Sequence, residues 1–134
     1  MSTFREAVEK HDMAAVDALL ADDVIFRSPV AFKPYEGKAI TSAILRNVVE
    51  VFEDFHYVRE IGADGDANQV LVFEAKVGGL AVTGADFLLF DDEGKVAELM
   101  VMVRPLRAAE ALAKEMGARF DNIVKMAAGT TTAG

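Results

Sequence analysis

The chain has 134 residues, of which 52% are apolar and none is cysteine, and it carries a formal net charge of −8. That length fits one domain with a substantial core, and the lack of cysteine excludes disulfides, thiolate metal sites and a cysteine nucleophile. With 14 basic residues scattered among 22 acidic ones, no cationic cluster is offered to nucleic-acid phosphates or to an anionic membrane surface.

The first quarter reads as two short helices. Residues 3–10 form one, and Asp12 is placed to cap a second, in which Met13, Val16, Leu19 and Leu20 recur at helical spacing. Asp22 and Asp23 close that helix, and residues 24–28 read as a short strand ended by Pro29, which cannot donate to a ladder. A loop through Pro34 and Gly37 leads to a third helix over residues 38–52, with an apolar stripe of Ile40, Ile44, Val48 and Val51. Four strand-like runs follow at residues 55–61, 69–77, 80–90 and 95–104. Their short connections all carry glycine, which predicts hairpins and an antiparallel meander. A last helix from Pro105 presents Leu106, Ala109, Leu112, Ala113, Met116 and Phe120 on one face, and residues 129–134 read as a disordered tail. No window approaches the length of a membrane span. Residues 1–6 lack the basic-then-apolar order of a signal peptide, so a cytoplasmic location is expected.

Helices followed by a long meander predict an α+β fold: one domain over residues 1–128, with a curved antiparallel sheet wrapped on the N-terminal helices and closed by the C-terminal one. Alternation in the last strand sends Ala97, Leu99, Val101 and Val103 inward. It sends Val96, Glu98, Met100, Met102 and Arg104 outward. The outer face, apolar around the two methionines, suits a homodimer of sheets packed back to back.

Asp86 stands inside the apolar run of residues 82–90. A carboxylate on a central strand must find a partner, stay protonated or face a cavity, because an unpaired buried charge is very costly. Its neighbours on the inner face are Leu88, with Gln69, Leu71 and Phe73 on the preceding strand and Leu99 and Val101 on the next. Burial among such groups raises a carboxyl pKa and equips it to donate a proton or hydrogen bond to a ligand carbonyl or hydroxyl. The competing reading is an aspartate satisfied structurally by a hydroxyl or backbone group. Tyr57 shares a strand face with Phe55 and Ile61, so its hydroxyl can reach the same space, whereas His56 points the other way. Two separated histidines without HxH or HExxH spacing predict no metal, and the glycines sit in or beside turns and not in a phosphate loop.

The helix ends and hairpins carry a resemblance. HDMAAVDALLADDVIFRSP at residues 11–29, YEGK at 35–38, DFLLFDDEGKV at 86–96 and MVRPL at 102–106 resemble the nuclear transport factor 2-like superfamily, which includes ketosteroid isomerases and SnoaL-like polyketide cyclases. The resemblance implies a cystatin-like, cone-shaped fold around an apolar pocket, a homodimer, Ser28 near the pocket mouth, and no cofactor. It also implies absences. Ser28 stands where a ketosteroid isomerase has its general-base aspartate, and Phe4 where it has its donor tyrosine. Asp86 falls on that enzyme's second acid, and Gly84 on the arginine of limonene-epoxide-hydrolase relatives. Two functions are therefore expected side by side. One is a cofactor-free isomerase, cyclase or hydrolase acting on an apolar substrate through Asp86, and the other an apolar-ligand-binding or dimerising accessory protein. The candidate ligand contacts are Ser28, Tyr57, Gln69, Leu71, Phe73, Leu88, Leu99 and Val101.

Overall fold

A computed structural model of the chain describes residues 3–132. Two short helices, α1 (Thr3–Glu9) and α2 (Met13–Leu19), open the fold. Asp12 caps α2 by accepting from the Ala15 amide at 3.1 Å. The chain leaves α2 directly into β1 (Leu20–Arg27), so Asp22 and Asp23 lie within a strand and do not end the helix. Leu20 decides this: it pairs with Val96 far along the chain, and both side chains are buried. A two-residue strand, β2 (Tyr35–Glu36), pairs antiparallel with β1. It is too short to leave a periodicity in the sequence.

After α3 (Lys38–Val51) come β3 (Glu53–Ile61), β4 (Asn68–Val77), β5 (Leu80–Phe90) and β6 (Val96–Arg104). The last four strands form the expected antiparallel meander, in a six-stranded sheet of order β2-β1-β6-β5-β4-β3. The sheet is mixed, not antiparallel throughout, because β1 joins it alongside β6 in parallel. One predicted face is also corrected. Val96, expected on the outer side, is completely buried, because a register irregularity between Leu89 and Phe90 turns the start of β6 inward.

The predicted last helix is two. Helix α4 (Leu106–Ala118) stops at Arg119, and α5 (Phe120–Thr132) packs back against α3. Gly117 weakens the helix just before the break. Arg119 Nη1 is held on α3 by Asn47 Oδ1 at 3.3 Å and Glu50 Oε1 at 3.1 Å. Leu106, expected in the core, is exposed, whereas Ile123 of α5 is buried. Residues 129–132, read from sequence as tail, prolong α5, since extending a helix costs far less than starting one. Residues 133–134 of that tail lie outside the described residues.

Gly84 permits the central packing of the sheet. A Cβ there would lie 2.6 Å from Phe73 Cε2 and 2.8 Å from the Met102 carbonyl oxygen. Gly84→Ala is therefore expected to lower stability by about 1–3 kcal/mol through overpacking. The urea midpoint checks this; an unchanged midpoint would mean that the Phe73 ring yields without strain.

Candidate functional site

Between the inner face of the sheet and the helices lies a cavity of about 260 Å³. Each element contributes its inward stripe: Phe4 and Val8 from α1, Ile44, Leu45, Val48 and Phe52 from α3 and its end, and Leu112 and Met116 from α4. Ile123 closes it from α5. The sheet side carries an aromatic cluster, with Phe55 4.8 Å from Phe73 and 5.0 Å, edge-on, from Tyr57. The polar residues that line the cavity are His11, Ser28, Tyr35, Tyr57 and Asp86.

Asp86 occupies the inner face of β5, opposite Leu71 on β4 and Val101 on β6. It is 8% exposed. The Tyr57 hydroxyl donates to Asp86 Oδ2 at 2.7 Å. That is the one protein hydrogen bond described for this carboxyl, and the residue lines the cavity. Burial pushes the Asp86 carboxyl up to about 7, even though the bond from Tyr57 pulls the other way. Tyr57 is itself raised well above an ordinary phenol, by burial and then by the neighbouring Asp86 charge, and so it remains a donor. The Tyr57 hydroxyl is the structural partner that one reading of the sequence asked for, and the same residue borders the cavity.

Tyr57 is held from behind. β3 is an edge strand, and the outward backbone groups of Tyr57 find partners on α1. Its amide donates to Glu9 Oε2 at 3.3 Å, and its carbonyl accepts from Arg5 Nη2 at 3.3 Å. Arg5 and Glu9 are themselves paired at 3.2 Å, one helical turn apart. The Arg5 guanidinium also lies 5.9 Å from the Tyr57 ring centroid.

Of the residues expected at the site, Ser28, Tyr57, Phe73, Leu99 and Val101 join Asp86 on the cavity wall. Gln69, Leu71 and Leu88 do not. Leu71 and Leu88 are sealed into the core beside Asp86. Gln69 serves the β3–β4 connection instead, donating from Nε2 to the Asp66 carbonyl at 3.1 Å. Strand alternation identifies a face but cannot say how far along that face the helices stand off. His56 lies outside, exposed and 3.6 Å from Glu74. Arg27 pairs with Glu98 at 2.6 Å on the surface.

His11 was not expected on the wall. It follows α1 in the left-handed region, with φ of 56°, and it borders the cavity from an exposed position. Only its place between two predicted helices hinted at an unusual backbone. Among the described residues, no group of three or more His, Cys, Asp or Glu is placed to hold a metal ion. No helix among them is long and apolar enough to cross a membrane.

A family model described as SnoaL-like domain matches residues 2–99. Among solved structures, a steroid delta-isomerase from Pseudomonas aeruginosa is 38% identical, with 91% of this chain and 89% of that one covered and a TM-score of 0.84. A bacterial protein with a cystatin-like fold from Silicibacter pomeroyi is 32% identical, with coverages of 92% and 89% and a TM-score of 0.85. A protein described as a SnoaL-like polyketide cyclase, from Shewanella denitrificans, shares the fold at 15% identity, coverages of 87% and 93% and a TM-score of 0.61. Among curated proteins none matches the chain.

Proposed function

The chain belongs to the SnoaL-like domain family, and from that premise we propose that it takes an apolar, carbonyl-bearing small molecule into its cavity and promotes proton transfer next to the carbonyl, without a cofactor. The observation that carries this reading is the Asp86–Tyr57 pair on an otherwise apolar wall. With Tyr57 occupying Oδ2, the acid form of Asp86 donates from Oδ1 to the ligand's carbonyl oxygen. It thereby stabilises the enol that forms when a neighbouring carbon loses its proton. An engineered cavity of about 150 Å³ holds benzene, so 260 Å³ suits a compound of about two fused rings. The steroid delta-isomerase at 38% identity is consistent with chemistry of this class.

The direct probe is 2-tetralone in deuterated buffer, with 2-naphthol as a mimic of its enol. The protein is expected to accelerate deuterium uptake at the carbon between the carbonyl and the aromatic ring, and to bind the naphthol. Naphthol binding without any acceleration would favour the second reading, a binding protein without turnover. Ser28 and Phe4 line the cavity, and the family resemblance sets them where ketosteroid isomerases carry their base and donor, which is what favours that alternative. Neither binding nor acceleration would refute both.

The working unit is a dimer through the outer face of the sheet. Met102, Val58 and Leu89 are exposed there. Charges of both signs, Glu74 and Lys76 with Arg104, lie on the same face, so the surface can oppose a rotated copy of itself. Met102→Glu is expected to halve the mass in sedimentation equilibrium, as like charges meet at the two-fold. A monomeric unmutated protein would refute the dimer.

A further inference from the structure

The proposed chemistry needs a group to take the proton from carbon, and neither Ser28 nor Phe4 offers one. Among the described cavity residues with titratable side chains, Tyr57 is committed as a donor to Asp86, and Tyr35 lies against Phe26, their ring centroids 6.3 Å apart. His11 remains. Its position is unusual in a second, independent way. The turn that ends α1, with the His11 amide donating to the Val8 carbonyl at 3.0 Å and the Asp12 amide to Ala7 at 2.9 Å, places His11 at a φ of 56°. Glycine fills such a helix-ending position with least strain. The residue found there is a histidine, one of the few side chains that tolerate this conformation, and it lines the cavity. Backbone strain of this kind gathers where a side chain is needed for function.

We propose that His11 is the general base of the cavity and acts opposite Asp86 on an enolisable ketone, an assignment that rests on the function proposed above. A neutral imidazole nitrogen takes the proton from the carbon next to the carbonyl. The C–H electron pair becomes the C=C bond of the enol, and the Asp86 acid proton passes to the carbonyl oxygen. Collapse of the enol returns the oxygen-bound proton to Asp86, while the imidazolium delivers its proton to carbon, at the original or the conjugated position. Both side chains end as they began, and no other reactant is consumed. The exposed position of His11 also allows its proton to exchange with solvent between turnovers.

His11→Gly separates the side chain from the fold, because glycine suits the backbone at this position. Deuterium uptake by 2-tetralone is expected to fall by about 100-fold or more, with 2-naphthol affinity retained and the unfolding midpoint unchanged or raised. Added imidazole should restore part of the rate, which a purely structural role would not allow. Uptake at the unmutated rate in His11→Gly would overturn the assignment. If Asp86→Asn still abolishes uptake in that case, only the His11 assignment fails. If Asp86→Asn is also without effect, or the unmutated protein is inert, the proposed function fails with it.

Discussion

Asp86→Asn is expected to reduce deuterium uptake by 2-tetralone by about 100-fold or more, the range seen when a single donor to a developing oxyanion or a general acid is lost. Asparagine preserves the shape of the side chain, and its carbonyl oxygen can still accept from the Tyr57 hydroxyl, which now donates to Asp86 Oδ2 at 2.7 Å. Its amide can also donate to a ligand oxygen, so 2-naphthol binding should persist. What it cannot do is release a proton to the carbonyl. The loss should therefore appear in the rate and not in the affinity, the mark of an interaction made only in the transition state. In the unmutated protein the acid form is the active one. With the carboxyl pushed up to about 7, the rate should decline as pH rises through that value. Initial rates measured across neutral pH check both points. An Asp86→Asn variant that keeps its rate would leave Asp86 with a structural role alone.

The same carboxyl should make stability depend on pH in the direction opposite to most carboxylates. Its pKa is raised from 3.8 to about 7 on folding. Below about pH 4 both the folded and unfolded chains bind the proton, and the group contributes no slope. Between about 4 and 7 only the folded chain holds it, so the unfolded state binds fewer protons and stability falls with rising pH. Above 7 both forms are ionised and the slope vanishes again. A shift of about three units corresponds to a loss on the order of 4 kcal/mol across that window. Every other titrating group is shared with Asp86→Asn, so the difference between the two proteins isolates this one. Urea midpoints should favour Asp86→Asn increasingly from pH 4 to pH 7 and by a constant margin beyond. A difference that does not vary with pH would show that Asp86 ionises in the folded protein as readily as in the unfolded chain.

Such a carboxyl is kept at the expense of stability, and the surrounding structure shows how it is tolerated. The Tyr57 hydroxyl satisfies one oxygen, and Tyr57 in turn is fixed through its backbone by Arg5 and Glu9. The N-terminal helix thus braces an edge strand at the residue that faces the acid. Helix α1 also carries Phe4 into the cavity wall, and the turn after it holds His11. One short helix and the turn after it supply packing, bracing and, in our proposal, the base.

The order of elements, the four-strand meander and the inward face of β5 were legible in the amino-acid sequence. Period-two alternation and glycine-bearing turns act over a few residues, and each leaves a local mark. For the same reason Asp86 stood out: a single charge within an apolar strand is visible without knowing what surrounds it. Properties set by partners remote in sequence left no such mark. Val96 alternates as an outer-face residue, yet a register irregularity at Leu89–Phe90 buries it against the sheet's interior. Leu20 has helical spacing, yet pairing with Val96 draws it into a strand. Phe120 and Ile123 have helical spacing too, but Arg119, bound to Asn47 and Glu50, sets where one helix ends and the next begins. Tyr57 and Asp86 are 29 residues apart and meet only because β3, β4 and β5 lie side by side. The sequence by itself determined which face of most strands and helices turns inward, with Val96 and Leu106 as exceptions. Tertiary packing decided which side chains touch, where space remains between sheet and helices, and that His11 borders it, because those outcomes depend on how whole elements come to rest against one another and not on the residues within any one of them.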